Sequence, residues 1–251
     1  MVYKLVQKYK KEGEDAYKTK VSGRPRSKIC QEFKDKVKEI RNKTGYGNRK
    51  IHVITTKEGF SVSQRQVRNV LDELNLTKPC PKRRGQKTYV RYQWPISNWM
   101  WHTDWSSFKG KEYCAYLDDR SRKIMAAGVY EEATQEHALQ LFYKAIWLHK
   151  MCPVIVLSDK GSQYYNSTPN KKGELTPSPY QQELERLGIQ FWTCRRAHPQ
   201  TNGKMEKWFD TMKQGLQRQP KFQAFVEWYN EEYIHESLDY RTPEEVYKQN
   251  L

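Results

Sequence analysis

The sequence predicts an α/β protein in which a mixed five-stranded sheet with flanking helices follows an all-α segment. Three observations carry this. Residues 1–99 hold 25 Lys/Arg against 9 Asp/Glu, whereas residues 100–251 hold 20 against 20, so the whole net charge of +16 lies in front. Apolar residues recur at helical spacing between Ile29 and Leu74, and beyond Trp99 they switch to short alternating or fully apolar runs. The run Val154-Ile155-Val156-Leu157 is of the kind buried inside a sheet. A basic front on a neutral back assigns the front to a polyanion, and nucleic acid is the commonest, because each neutralised phosphate releases counterions.

A chain of 251 residues accommodates one sizeable core and a smaller module or two. No apolar run approaches the ~20 residues that cross a bilayer, and the first residues lack the apolar stretch of a signal peptide, so no membrane partner is expected. The five cysteines are scattered and contain no CxxC pair. That argues against a disulfide framework or a structural zinc and for a reducing cytosol.

Taken in order, residues 1–25 read as a short basic helix with Tyr3, Leu5, Val6 and Tyr9, ending in a Gly23-Arg24-Pro25-Arg26 hinge. Its abrupt start gives it the look of the remnant of a longer helical module. Residues 26–77 predict three helices. The first carries Ile29, Phe33, Val37 and Ile40, and the second runs from Asn48 to Lys57. The third starts at Ser61 or Ser63 and buries Val67, Val70, Leu71 and Leu74. Its opposite face shows Gln64, Arg65, Arg68 and Asn69. A tight Gly59 turn before a polar third helix is the pattern of a helix-turn-helix reading DNA through those four residues, although any small helical bundle shares it. Residues 78–98 form a linker whose Lys82, Arg83, Arg84 and Lys87 would lie along phosphates or simply stay solvated.

Residues 99–219 predict strands at 100–109, 112–117 and 123–130, then a helix at 134–150 with Ala138, Leu139, Phe142 and Ile146 on its inner side. The buried strand at 154–157, a helix at 180–187, a strand at 189–193 and a long helix from Gln200 past Met212 follow, and a helical segment at 220–251 closes the chain. Three antiparallel strands followed by helix–strand–helix–strand–helix is the order of an RNase H-like domain.

Three acids stand out. Asp104 lies within the first strand between tryptophans, where a carboxylate is costly unless paired, hydrogen-bonded or on a metal. Asp159 ends the buried strand, and strand ends of open α/β sheets gather reacting groups. Glu206 sits early in the long helix. Carboxylates from two strands and a helix suit two Mg²⁺ (or Mn²⁺) ions about 4 Å apart, one activating the attacking oxygen and one stabilising the leaving oxygen. Asp118 and Asp119 are rival ligands, but the adjacent Arg120 and Arg122 favour a turn with ion pairs. Lys204 and Lys207 flank Glu206 and would reach the phosphate backbone or form a solvated face, while His102 suits substrate contact or strand packing equally. Gln200 and Asn202 are read as helix caps.

The segments Trp101-His102-Thr103-Asp104-Trp105, Leu157-Ser158-Asp159-Lys160-Gly161-Ser162-Gln163-Tyr164 and His198-Pro199-Gln200-Thr201-Asn202-Gly203-Lys204-Met205-Glu206 resemble, in order, the signatures of the DDE transposase/integrase catalytic core. Residues 225–247 resemble the segment that follows that core in insertion-sequence transposases. The absence of a His/His/Cys/Cys module in front makes the resemblance one to bacterial and archaeal members. A second departure is the spacing: 46 residues separate Asp159 from Glu206, more than the family's usual number, and the surplus fits the polar loop 166–177, whose Lys171 and Lys172 face either substrate or solvent.

The resemblance implies metal-dependent cleavage of double-stranded DNA at transposon ends, strand transfer into target DNA, and a homodimer or higher oligomer working in a prokaryotic cytoplasm on the nucleoid. Two rivals remain: an RNase H-like nuclease that cuts without joining, and a DNA-binding protein with an inactive, domesticated core.

Overall fold

The structure is a computed structural model that describes residues 2–14, 29–77, 93–166, 169, 173, 175–194, 203–218 and 221–249. The Gly23–Arg26 hinge, the linker cations Lys82, Arg83, Arg84 and Lys87, the loop lysines Lys171 and Lys172, and the cap residues Gln200 and Asn202 lie outside the described residues.

Helix α1 (Val2–Glu12) is followed by α2 (Gln31–Thr44), α3 (Asn48–Lys57) and α4 (Gln64–Glu73). The last three pack around Phe33, Val37, Ile51, Val67, Val70 and Leu71, which are at most 3% exposed. Their joints follow local chemistry. Gly45 ends α2 at φ 71°, a left-handed position that disfavours any side chain, and its N–H reaches the Arg41 carbonyl at 2.8 Å. Gly59 turns the chain into α4 at φ 93°. Ser63 caps α4 in a reciprocal box with Gln66, worth about 1 kcal/mol.

The sheet comprises β1 (Met100–Phe108), β2 (Lys111–Asp118), β3 (Ile124–Tyr130), β4 (Ile155–Ser158) and β5 (Gln190–Thr193), in the order β3-β2-β1-β4-β5. β1, β2 and β3 form an antiparallel meander, while β4 and β5 run parallel to β1. The sheet is therefore mixed, as predicted. All four residues of β4 are buried, as a strand covered on both faces requires, whereas Val154, the first residue of the predicted run, lies before the strand and is exposed.

One face is covered by α5 (Gln135–His149) and α6 (Pro179–Arg186), around Trp101, Tyr116, Phe142, Val156, Tyr164 and Tyr180. The sequence placed Ala138, Leu139, Phe142 and Ile146 on the inner side of α5. The structure buries Ala138, Leu141, Phe142 and Ala145, with Leu139 and Ile146 only partly covered at the flank. Helical spacing defines a stripe, and the neighbour it lies on decides where the stripe is centred.

The other face is covered by α7 (Gly203–Gly215) and α8 (Phe222–Glu231), through Met205, Trp208, Phe209, Met212, Phe225 and Tyr229. The C-terminal segment then ties the parts together. Asn230 acts as an extra ladder residue, accepting from Ile124 N and donating to Ile124 O, both at 2.9 Å. Ile234 enters the core of the α2–α4 bundle, and α9 (Pro243–Lys248) sends Tyr247 beneath α5. Among the described residues no helix is long and apolar enough to cross a membrane.

Candidate functional site

The register of the sheet brings two of the acids together. β1 pairs with β4 through Met100↔Ile155, Trp101↔Val156 and His102↔Leu157. Continued by two residues, this parallel register sets Asp104 opposite Asp159. β4 pairs with β5 up to Ser158↔Thr193, and Cys194 N donates to Ser158 O at 2.9 Å, so the next pair is Asp159 and Cys194. Asp104, Asp159 and Cys194 thus form one row across three strands.

The row faces the α7 side. Asp104 is paired with Ala115, and Ala115 with Ala127. Both alanines pack in the cluster that holds Met205, Trp208 and Met212 of α7. Directly paired residues share a face of the pleat, so Asp104 points the same way. Glu206 lies in the first turn of α7, exposed beside the buried Met205.

Electrostatics report the same convergence. The Cys194 thiol is pushed up to about 11, first by burial, then by the carboxylates of Asp159 and Asp104, and further by Glu206. Three acids drawn from β1, the end of β4 and α7 therefore act on one thiol.

Asp104 is half-buried and Asp159 exposed. The Oδ1 of Asp104 accepts from Trp105 N at 2.8 Å, and that of Asp159 from Gly161 N at 2.9 Å. Among the described residues no three acid, histidine or cysteine side chains stand at chelating distance in this conformation. The donor set fits a hard divalent cation, since carboxylate oxygens dominate and the thiol is held protonated.

The acids are backed by a buried hydroxyl network. Thr103, next to Asp104, meets the Tyr164 hydroxyl at 2.9 Å, and Ser178 Oγ donates to the Tyr164 carbonyl at 2.7 Å. Tyr164 thereby fixes the loop that leaves Asp159 to the rear of β1.

Asp118 and Asp119 are both fully buried. Asp118 accepts from Asn98 N at 2.7 Å and from Ser121 N and Oγ at 2.8 and 2.6 Å, which closes its own turn. Asp119 accepts from His102 Nε2 at 2.7 Å and from Trp94 N at 2.9 Å, and pairs with the Lys204 ammonium. Burial opposes the Asp119 charge, but the His102 hydrogen bond and the Lys204 cation outweigh it and hold the carboxyl below its ordinary value. The ion pair expected with Arg120 and Arg122 is replaced by these partners, while Arg122 donates to the Asp119 carbonyl instead.

His102 is a packed strand residue, fully buried, and burial lowers its pKa. Lys204, read from the sequence as reaching for phosphates or forming a solvated face, instead turns inward with its side chain 16% exposed. Lys207 remains on the surface. Sequence reasoning missed Tyr164 and Cys194, yet each lay close to a segment already singled out, as the aromatic that ends the second signature and the residue after the last strand.

On the bundle, Gln64, Arg65, Arg68 and Asn69 are all exposed on one side of α4, opposite its buried Val67, Val70 and Leu71. Together with Asn48 and Asp72 they line a shallow polar hollow.

A mixed sheet of this order, helices on both faces and acids at the end of the β1–β4 pair define an RNase H-like core of the kind found in retroviral integrases. Residues 95–199 and 187–243 match two family descriptions, both "Integrase core domain", so this part of the chain carries an integrase core. The chain is 29% identical over 172 residues to the transposase for insertion sequence element IS904 of Lactococcus lactis subsp. lactis (strain IL1403). That alignment covers 61% of this chain and 62% of the relative, so the chain spans under two thirds of the relative's length. In fold it is similar to a chain of the simian T-cell lymphotropic virus intasome, solved by cryoEM in complex with PP2A regulatory subunit B56 gamma. That likeness has a TM-score of 0.54 at 16% identity, and covers 84% of this chain and 74% of the other.

Proposed function

We propose that this chain is a transposase that cuts double-stranded DNA at transposon ends and joins the freed 3′-hydroxyls to target DNA in a prokaryotic cytoplasm. The observation that carries this reading is the Asp104–Asp159–Cys194 row lying on the face covered by the helix that bears Glu206.

Asp104, Asp159 and Glu206 would hold two Mg²⁺ (or Mn²⁺) ions, which when bound supply an activated attacking oxygen and a stabilised leaving oxygen. The protein's own part is to orient the acids. Thr103 and Tyr164 brace two of them from behind the sheet, and the apolar seam of Met205, Trp208 and Met212 seats the third. The helix-turn-helix would present Gln64, Arg65, Arg68 and Asn69 to duplex DNA, with Lys82, Arg83, Arg84, Lys87 and Lys207 tracking phosphates. Work on two DNA ends calls for a homodimer or larger assembly.

The test is a Mg²⁺-dependent cleavage and strand-transfer assay on the element's own ends. Asp104→Asn, Asp159→Asn and Glu206→Gln should each abolish both steps while DNA affinity stays within about twofold, since they remove ligands and leave the basic front untouched. Retained activity in one variant removes that residue from the site. Cleavage without joining points to a plain nuclease, and no metal-dependent cleavage at all points to a domesticated DNA-binding protein.

A further inference from the structure

The buried hub at Asp119 is absent from the mechanism above, yet it links the strand of one acid to the helix of another. Asp119 Oδ1 receives both His102 Nε2 and the Lys204 ammonium, while Oδ2 receives Trp94 N. Its own N–H bonds Met100 O at 2.9 Å, which ties the hub to the start of β1. His102 stands two residues before Asp104 on the same face of β1, and Lys204 stands two residues before Glu206 in the first turn of α7.

Behind Lys204, α7 meets the sheet through Met205, Trp208 and Met212. Apolar contact of this kind sets how closely a helix approaches but is non-directional, so it fixes rotation and axial position weakly. A buried carboxylate with a defined ammonium partner is directional, and leaving that carboxylate unpaired is costly. We infer that the Lys204–Asp119–His102 clasp holds the N-terminus of α7 in register with β1, making Lys204 and Asp119 positioning residues that aim Glu206 at Asp104 and Asp159. This rests on the reading of those three acids as the metal-binding set.

The sign of one substitution separates this from simple electrostatics. Lys204 is a cation close to a cation site, so its removal by charge alone would tighten metal binding. Loss of the clasp weakens it, because partners behind metal ligands typically contribute about 10–100-fold in affinity.

The experiment is Mn²⁺ binding to the full-length protein without DNA, followed by electron paramagnetic resonance. Lys204→Met should weaken Mn²⁺ binding about 10–100-fold, and Asp119→Asn likewise. The double variant should be no weaker than the worse single one, because both break the same link. Lys204→Arg should restore affinity to within a few-fold. Thermal melts guard against global unfolding, and if Lys204→Met does not fold, Lys204→Gln, which keeps a donor for Asp119, takes its place with a smaller expected loss.

Unchanged or tighter Mn²⁺ binding in the Lys204 variant, alongside weakened binding in Glu206→Gln, overturns the clasp and leaves the acid triad standing. Wild-type Mn²⁺ binding in Glu206→Gln overturns the triad itself. A Lys204→Met protein that binds Mn²⁺ normally but loses DNA affinity marks Lys204 as a phosphate contact and also overturns the inference.

Discussion

The convergence of three carboxylates on Cys194 makes that thiol a probe of the site. Burial, Asp159, Asp104 and Glu206 lift it from 9.0 to about 11. Below pH 9 its thiolate is therefore about a hundredfold scarcer than that of an ordinary thiol, and alkylation by iodoacetamide, which consumes thiolate, is slowed by a similar factor. The measurement uses a protein with Cys30, Cys80 and Cys152 changed to serine. Cys114 is kept, because burial pushes its thiol to about 12 and it is inaccessible. The alkylation rate should rise to half its maximum near pH 11. Since burial is the largest cause, Asp159→Asn alone should bring that midpoint down by less than about one pH unit, raising the rate at pH 8 severalfold. Saturating Mg²⁺, bound by the three acids as proposed, should lower it further. The same titration affects folding: the folded state keeps the proton between 9.0 and about 11 while the unfolded chain releases it, so Cys194 removes stability as pH rises through that window. A midpoint near 9 in the wild type, or one that none of Asp104→Asn, Asp159→Asn and Glu206→Gln moves, would refute the convergence.

Three further outcomes are expected. Replacing Arg65 and Arg68 together by alanine should weaken duplex binding and flatten the slope of log K against log salt by about 2, one for each phosphate left without its cation, and an unchanged slope would take α4 off the DNA. Tyr46→Phe should cost about 1–3 kcal/mol in urea denaturation, because the Tyr46 hydroxyl joins the bundle to the C-terminal segment by accepting from Ile234 N at 3.2 Å and donating to Glu232 O at 3.4 Å; a loss below about 0.5 kcal/mol would mean that water replaces it. Shortening the 166–177 loop by about ten residues should leave stability within ~1 kcal/mol, since Asn166 Nδ2 already meets Thr176 O at 3.1 Å across its base and closure entropy grows only logarithmically. A larger loss would show that the loop packs, and intact stability with reduced strand joining would make it a substrate clamp.

Much of the architecture was legible because it is local. The α4 stripe, the Ser63 cap and the apolar β4 run each follow from a few adjacent residues, and the structure places them within one or two positions of expectation. The sequence also singled out Asp104, Asp159 and Glu206 through their immediate contexts. The identity of their companions was not legible in the same way. Nothing near Lys204 distinguishes a lysine that reaches for phosphate from one that turns in on Asp119, which lies 85 positions earlier. Nothing near Ile234 says that it completes a core begun at Phe33.

What the sequence determined by itself is which segments become strands and helices, that positive charge gathers at one end, and which carboxylates stand where chemistry is expected. What only the tertiary structure decided is which of these meet. The β1–β4 register puts Asp104 across from Asp159, the α7 seam brings Glu206 over the same face, and the buried hub fastens helix to strand. The physical reason is that periodicity and capping act over a few residues, whereas strand pairing and desolvated ion pairs join residues tens of positions apart and exist only once the core has closed around them.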